Sequence, residues 1–150
     1  MPDTKEDNVQ GKLLLRGGAL WLIVALVLAW CLVGLALQLP GFGAVFPGKY
    51  QRVLQAHIDF LLMSALLLGF YGTRIALPWH VRWAMVIGAF TNSMLFLLMA
   101  IFPALDPTGP SPVTGFARTI FIGLNLLSFL ITSYGFGRGA VLALRSTFIR

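Results

Sequence analysis

Charge is what this chain has least of. Five Asp and Glu and eleven Lys and Arg amount to 11% of its 150 residues, against about 25% in an ordinary soluble domain. With 58% hydrophobic residues and a mean hydropathy of +0.86, that scarcity excludes a water-facing surface over most of the chain. Cysteine is scarcer still. Cys31 stands alone inside the first apolar run, so neither an intrachain disulfide nor a thiolate metal cluster can form, and it reads as a packing residue. The chain also lacks H-E-x-x-H, C-x-x-C, a carboxylate cluster and a Walker loop, while GFGAVFPG and GFGRGA fail the dinucleotide pattern. A bare zinc site and nucleotide chemistry therefore have no support. The net charge of +6 does not point to nucleic acid, because the basic residues sit at the ends of apolar runs instead of in one patch.

What is there is length of apolar chain. Runs at about 17–39, 51–71, 83–102 and 116–144 each suffice to cross roughly 30 Å of hydrocarbon. They predict an all-α membrane protein: a single four-helix transmembrane domain over 1–150, with no internal repeat and connections short enough for one compact bundle. The leading MPDTKEDNVQGK reads as polar and loose. The first run outlasts the roughly 7–15 residues of a signal h-region and no A-x-A site with a mature domain follows, so it reads as a retained helix. Pro40–Tyr50 and TRIALPWHVR turn the chain, and Pro103, Pro107, Pro110 and Pro112 forbid helix after the third run. The fourth run exceeds a span and is expected to end in a juxtamembrane extension. Gly135/Gly139 and Ser133/Gly137 are small-xxx-small pairs that permit close helix approach.

Basic residues set the expected orientation. Lys5, Lys12, Arg16, Arg74, Arg82, Arg138, Arg145 and Arg150 fall on one face, and Lys49, Arg52 and Arg118 on the other. Both termini are then cytoplasmic, in the inner membrane of a bacterium. QAHIDFLLMS, at the head of the second run, places His57 and Asp59 within about two turns of the outer surface.

An ionisable group in a spanning helix is costly unless paired or ligated, which makes each one a functional candidate. His57 and Asp59 are such groups, and Asn92 adds a buried amide. Two residues apart, His57 and Asp59 lie about 200° around the helix and must face different neighbours. Each also has a plain reading. His57 is a packing residue, Asp59 forms a salt bridge with Arg52 or Arg118, and Asn92 is an interhelical hydrogen-bond clasp. The chemical reading is haem, which needs one neutral imidazole, a flat apolar slot and cations for its propionates. Phe60, Leu61, Met63, Met94, Phe96 and Met99 offer walls; Lys49, Arg52 and Arg118 share the side of His57. His80 lies about a bilayer thickness away, so the second axial position is open, held by Met, or filled by another subunit.

QAHIDFLLMSALLLGF followed by VIGAFTNSMLFLLMAIFP resembles the small four-helix membrane family of styrene oxide isomerases and hydroxylaminobenzene mutases. The shared features are Ala56-His57 at the head of the second helix, an H-x-D resembling the mutases' H-x-E, and Asn92 among small residues of the third. The resemblance implies a homotrimer binding haem b near its subunit interfaces, with His57 in the place of the axial ligand. It implies ferric iron as a Lewis acid opening an epoxide to a carbonyl compound. Two positions depart from the family: Met63 replaces an asparagine six after the histidine, and Phe96 a tyrosine four after Asn92. Polar substrate contacts are lost with them.

The function expected from these residues is a haem-b-dependent isomerase acting on a small apolar substrate that enters from lipid. His57 is its metal ligand, Met63, Phe96 and Arg118 are its cofactor contacts, and Asp59 and Asn92 are its proton or hydrogen-bond partners. The alternatives are a non-catalytic haem-binding or accessory subunit of a membrane complex, and a cofactor-free structural protein.

Overall fold

In hydrocarbon no water is present to satisfy backbone N–H and C=O groups, so apolar spanning segments close their hydrogen bonds internally as helices. The computed structural model describes residues 5–148, with side chains from Lys12 onward. Its helices are α1 Lys5–Ala36, a single turn α2 Phe42–Val45, α3 Tyr50–Thr73, α4 Trp79–Ile101 and α5 Gly115–Ser146, with a 3₁₀ turn at Pro103–Leu105. No strand occurs among the described residues. Four of these helices are long and apolar enough to cross a membrane, which makes the chain an integral membrane protein by length and composition.

The ends differ from the expected ones where polar residues continue a helix. The segment from Lys5 to Lys12, expected to be loose, extends α1. Residues 1–4 and 149–150, Arg150 among them, lie outside the described residues. Helix α4 starts at Trp79, after Pro78 at its N-cap, within a stretch read as a turn. Proline pre-sets the backbone there without needing a donor. α3 stops at Arg74, which adopts a left-handed conformation with φ 53°.

Helices α1, α3 and α4 pack on one another, and α5 joins them chiefly through α4. One apolar cluster gathers Leu14, Leu67, Val81, Met85 and Ala89; another gathers Ala25, Leu28, Val53, Ala56 and Phe60. Trp21 spans the two, stacking on Phe90 with ring centroids 4.8 Å apart and donating Nε1–H to the Val86 carbonyl at 3.3 Å. The α4–α5 contact depends on glycine: a Cβ at Gly135 would meet Met85 N at 2.7 Å, and one at Gly88 would meet Thr132 Cα at 2.8 Å. The Gly135/Gly139 pair thus closes an interface within the chain, whereas Gly137 faces open space. Gly48 matters for the site. Its N–H donates to the Ala100 carbonyl at 2.8 Å, where a Cβ would lie 2.6 Å from the same oxygen. This contact docks the head of α3 against the end of α4.

Candidate functional site

His57 points from α3 toward α1. Its Nδ1 lies 2.8 Å from the carbonyl oxygen of Ala25, 32 residues earlier. A helical carbonyl oxygen keeps a second lone pair beyond its intrahelical bond, and Ala25 and Ala56, both fully buried, leave α1 and α3 close enough for the ring to reach it. Because a carbonyl only accepts, Nδ1 carries the proton, and in the neutral ring Nε2 then holds a free lone pair. Among the described residues Nε2 has no hydrogen-bond partner, and no half-buried or buried side-chain nitrogen or oxygen is both enclosed and unbonded. Nε2 is therefore accessible at the surface of the single chain. A tied Nδ1 with a free Nε2 is the arrangement by which proteins orient histidine ligands for metals.

Asp59 points the other way, toward α4, as the 200° separation requires. Its Oδ2 accepts Nδ2–H of Asn92 at 2.8 Å and the hydroxyl of Ser93 at 2.8 Å. Ser93 divides its one O–H between this oxygen and the Ala89 carbonyl at 2.9 Å. The expected salt bridge of Asp59 with Arg52 or Arg118 is not formed. Asn92 is the interhelical clasp that its buried amide suggested. One chain therefore does not bring Asp59 and Asn92 beside the His57 ring.

Arg52 goes instead to Asp106, in the connection after α4. Nε donates to Oδ2 at 3.0 Å and Nη2 to Oδ1 at 2.7 Å, the bidentate geometry that suits guanidinium and carboxylate. Thr108 donates its N–H at 2.9 Å and its hydroxyl at 2.7 Å to Oδ1. Lys49 Nζ reaches the Thr108 carbonyl and hydroxyl, both at 2.7 Å, and stands 3.8 Å from Asp106 Oδ2. The Arg52 hydrogen bonds, with those of Thr108, hold the Asp106 carboxyl well below the usual carboxylate range although burial acts against them. Two of the three cations proposed for haem propionates are thus already engaged. Arg118, exposed at the head of α5, forms no ion pair among the described residues.

The remaining predicted residues disperse. Met63, a turn and a half below His57, packs against the Leu67–Met85 cluster. Phe96 packs beside the Phe60 cluster and also lines a groove of about 230 Å³ between α4 and α5, with Asn92, Leu95, Met99, Asn125, Leu126 and Phe129. Asn125, Ser93 and Asp106 were missed by sequence reasoning. Asn125 is an amide inside an apolar run, the same signal that marked Asn92. Nothing local marked Asp106 in its proline-rich loop. Among the described residues no group of three or more His, Cys, Asp or Glu could hold a metal ion, a condition that a haem ligated by one imidazole does not require. The chain matches no protein-family model, no curated protein and no solved structure.

Proposed function

We propose that this chain is a membrane haem protein whose His57 ligates iron through Nε2 and which isomerises a small apolar substrate entering from lipid. The observation that carries the reading is the 2.8 Å contact of Nδ1 with the Ala25 carbonyl, which leaves an oriented lone pair at the surface of the chain. Ferric haem b, when bound, supplies a Lewis acid for redox-neutral rearrangement, epoxide to carbonyl by resemblance. The chain's own residues do the rest. Ala25 fixes the imidazole tautomer, Ile58, Leu61 and Leu62 present apolar surface on the exposed side of α3, and Arg118 is the cation left for a propionate. Since His57 opens outward, the other wall of the slot belongs to a second copy, which favours a homo-oligomer, a trimer by resemblance.

One observation favours the runner-up, a non-catalytic haem or accessory subunit. Asn92 and Ser93 both donate to Asp59 on the α4 side, and Met63 and Phe96 are apolar, so the candidate proton partners are engaged away from His57.

The test is the visible spectrum of protein purified in detergent from haem-replete cells. A Soret band that disappears in His57→Ala supports both readings, and its absence in the wild type removes both. Binding of an added epoxide or imidazole by the iron then favours the isomerase, whereas a closed six-coordinate iron favours the accessory subunit. The proposed orientation, termini on the cytoplasmic side of a bacterial inner membrane, rests on the basic residues gathered at the Arg74–Arg145 end. Reporter fusions at both termini test it.

A further inference from the structure

From the groove between α4 and α5 we infer a binding site for a small apolar molecule that carries a hydroxyl group. The glycines and small polar residues hold the two helices together over one half of their length: Gly88 lies against Thr132, Gly135 against Met85, and Ser128 donates to Thr91 Oγ1 at 2.8 Å. Beyond Ser128 the partners become bulky. Phe96, Met99, Leu126 and Phe129 face one another there, and the space between them is the groove of about 230 Å³. A dry cavity of about 150 Å³ holds benzene, so the groove has room for one ring and a few further heavy atoms.

Its two amides define the ligand's polar end. Asn92 uses one N–H on Asp59 Oδ2 at 2.8 Å, and Asn125 uses one N–H on the Phe121 carbonyl at 2.7 Å. Both bonds require the nitrogen to donate, which settles the orientation of each amide. The oxygen of each has no partner among the described residues and is not enclosed. Two acceptors, each beside a spare N–H, thus stand at a groove that opens where lipid offers no donors, and an unmet amide there is costly. A hydroxyl suits this end best, because it donates its one O–H to one amide oxygen and accepts from an N–H. An epoxide, ether or hydrocarbon leaves both oxygens unmet.

A benzyl alcohol bearing a ring diazirine, compared with its analogue having methyl in place of the hydroxymethyl group, tests this by photolabelling of the full chain in lipid nanodiscs. The alcohol is expected to label the segments around 92–99 and 125–129 about fivefold more than the analogue, the factor for one hydrogen bond worth ~1 kcal/mol. Asn125→Leu should erase that preference. Leu126→Trp, at an exposed position on the rim of the groove, should block labelling by filling it. Equal labelling by the two probes, or a preference that survives both substitutions, overturns the proposal and leaves the groove to lipid chains. The site does not depend on iron at His57: His57→Ala is expected to remove any Soret band and keep the labelling.

Discussion

Arg52 and Asp106, 54 residues apart, meet through two hydrogen bonds of 3.0 and 2.7 Å and tie the head of α3 to the connection between α4 and α5. Asp106 is 2% exposed, and without Arg52 its carboxylate keeps the two Thr108 donors and Lys49 at 3.8 Å. Arg52→Met is therefore expected to lower stability by about 1–2 kcal/mol, the loss of charge-assisted hydrogen bonds and not of a fully uncompensated charge, read from unfolding in increasing SDS mole fraction. A loss below about 0.5 kcal/mol would show that the pair behaves as a surface ion pair.

The same carboxyl gives a pH dependence with a definite sign. Its folded value lies below its unfolded one, so the unfolded chain binds more protons in acid. The stabilisation is complete above the unfolded value of about 3.9 and is lost as pH falls below it toward the folded value. Asp106→Asn should flatten the fall in stability between about pH 4 and pH 2, and an unchanged acid limb would place the titrating group elsewhere.

His57 has a structural role separable from any cofactor. Loss of its bond to Ala25 is expected to cost about 1 kcal/mol in His57→Phe, measured on cofactor-free protein. The helix content should be retained. A collapse of the fold would instead make His57 chiefly a packing residue.

Asp59 and Asn92 should behave as a coupled pair. In a double-mutant cycle of Asp59→Asn and Asn92→Leu, the coupling is expected near 0.6–1.7 kcal/mol. Strict additivity would mean that the 2.8 Å contact contributes nothing to stability.

Glycine positions on α5 separate its two faces. Gly135→Ala puts a Cβ 2.7 Å from Met85 N and should destabilise by about 1–3 kcal/mol, because backbone cannot yield as a side chain does. Gly137→Ala meets nothing within 4 Å and should be neutral or slightly stabilising in the same SDS assay.

The helices were legible because apolar length is a local signal, and their cores appear within a few residues of the expected bounds. Their ends were less so. Trp79–Arg82 and Lys5–Lys12 carry polar and interfacial side chains that a hydropathy reading assigns to loops, although nothing in them prevents helix. The opposed directions of His57 and Asp59 followed from two residues of helical rotation. The partner of Asp59 did not, since Arg52 lay on the expected face and only the position of Asp106 drew it away. Asn125 carries the same signal as Asn92, an amide inside an apolar run, but its N–H bonds within its own helix to the Phe121 carbonyl.

By itself the sequence determined that this chain forms four helices long and apolar enough to cross a membrane, because hydrocarbon forces the backbone to bond within each apolar segment. It also determined which side chains are costly there. Which of them meet was decided only in the tertiary structure: Gly48 docks on Ala100, Asp106 is carried to Arg52, and Asp59 is left to Asn92 and Ser93. Such pairings depend on how closely helices distant in sequence can approach, and that distance is set by the small residues on both partners at once.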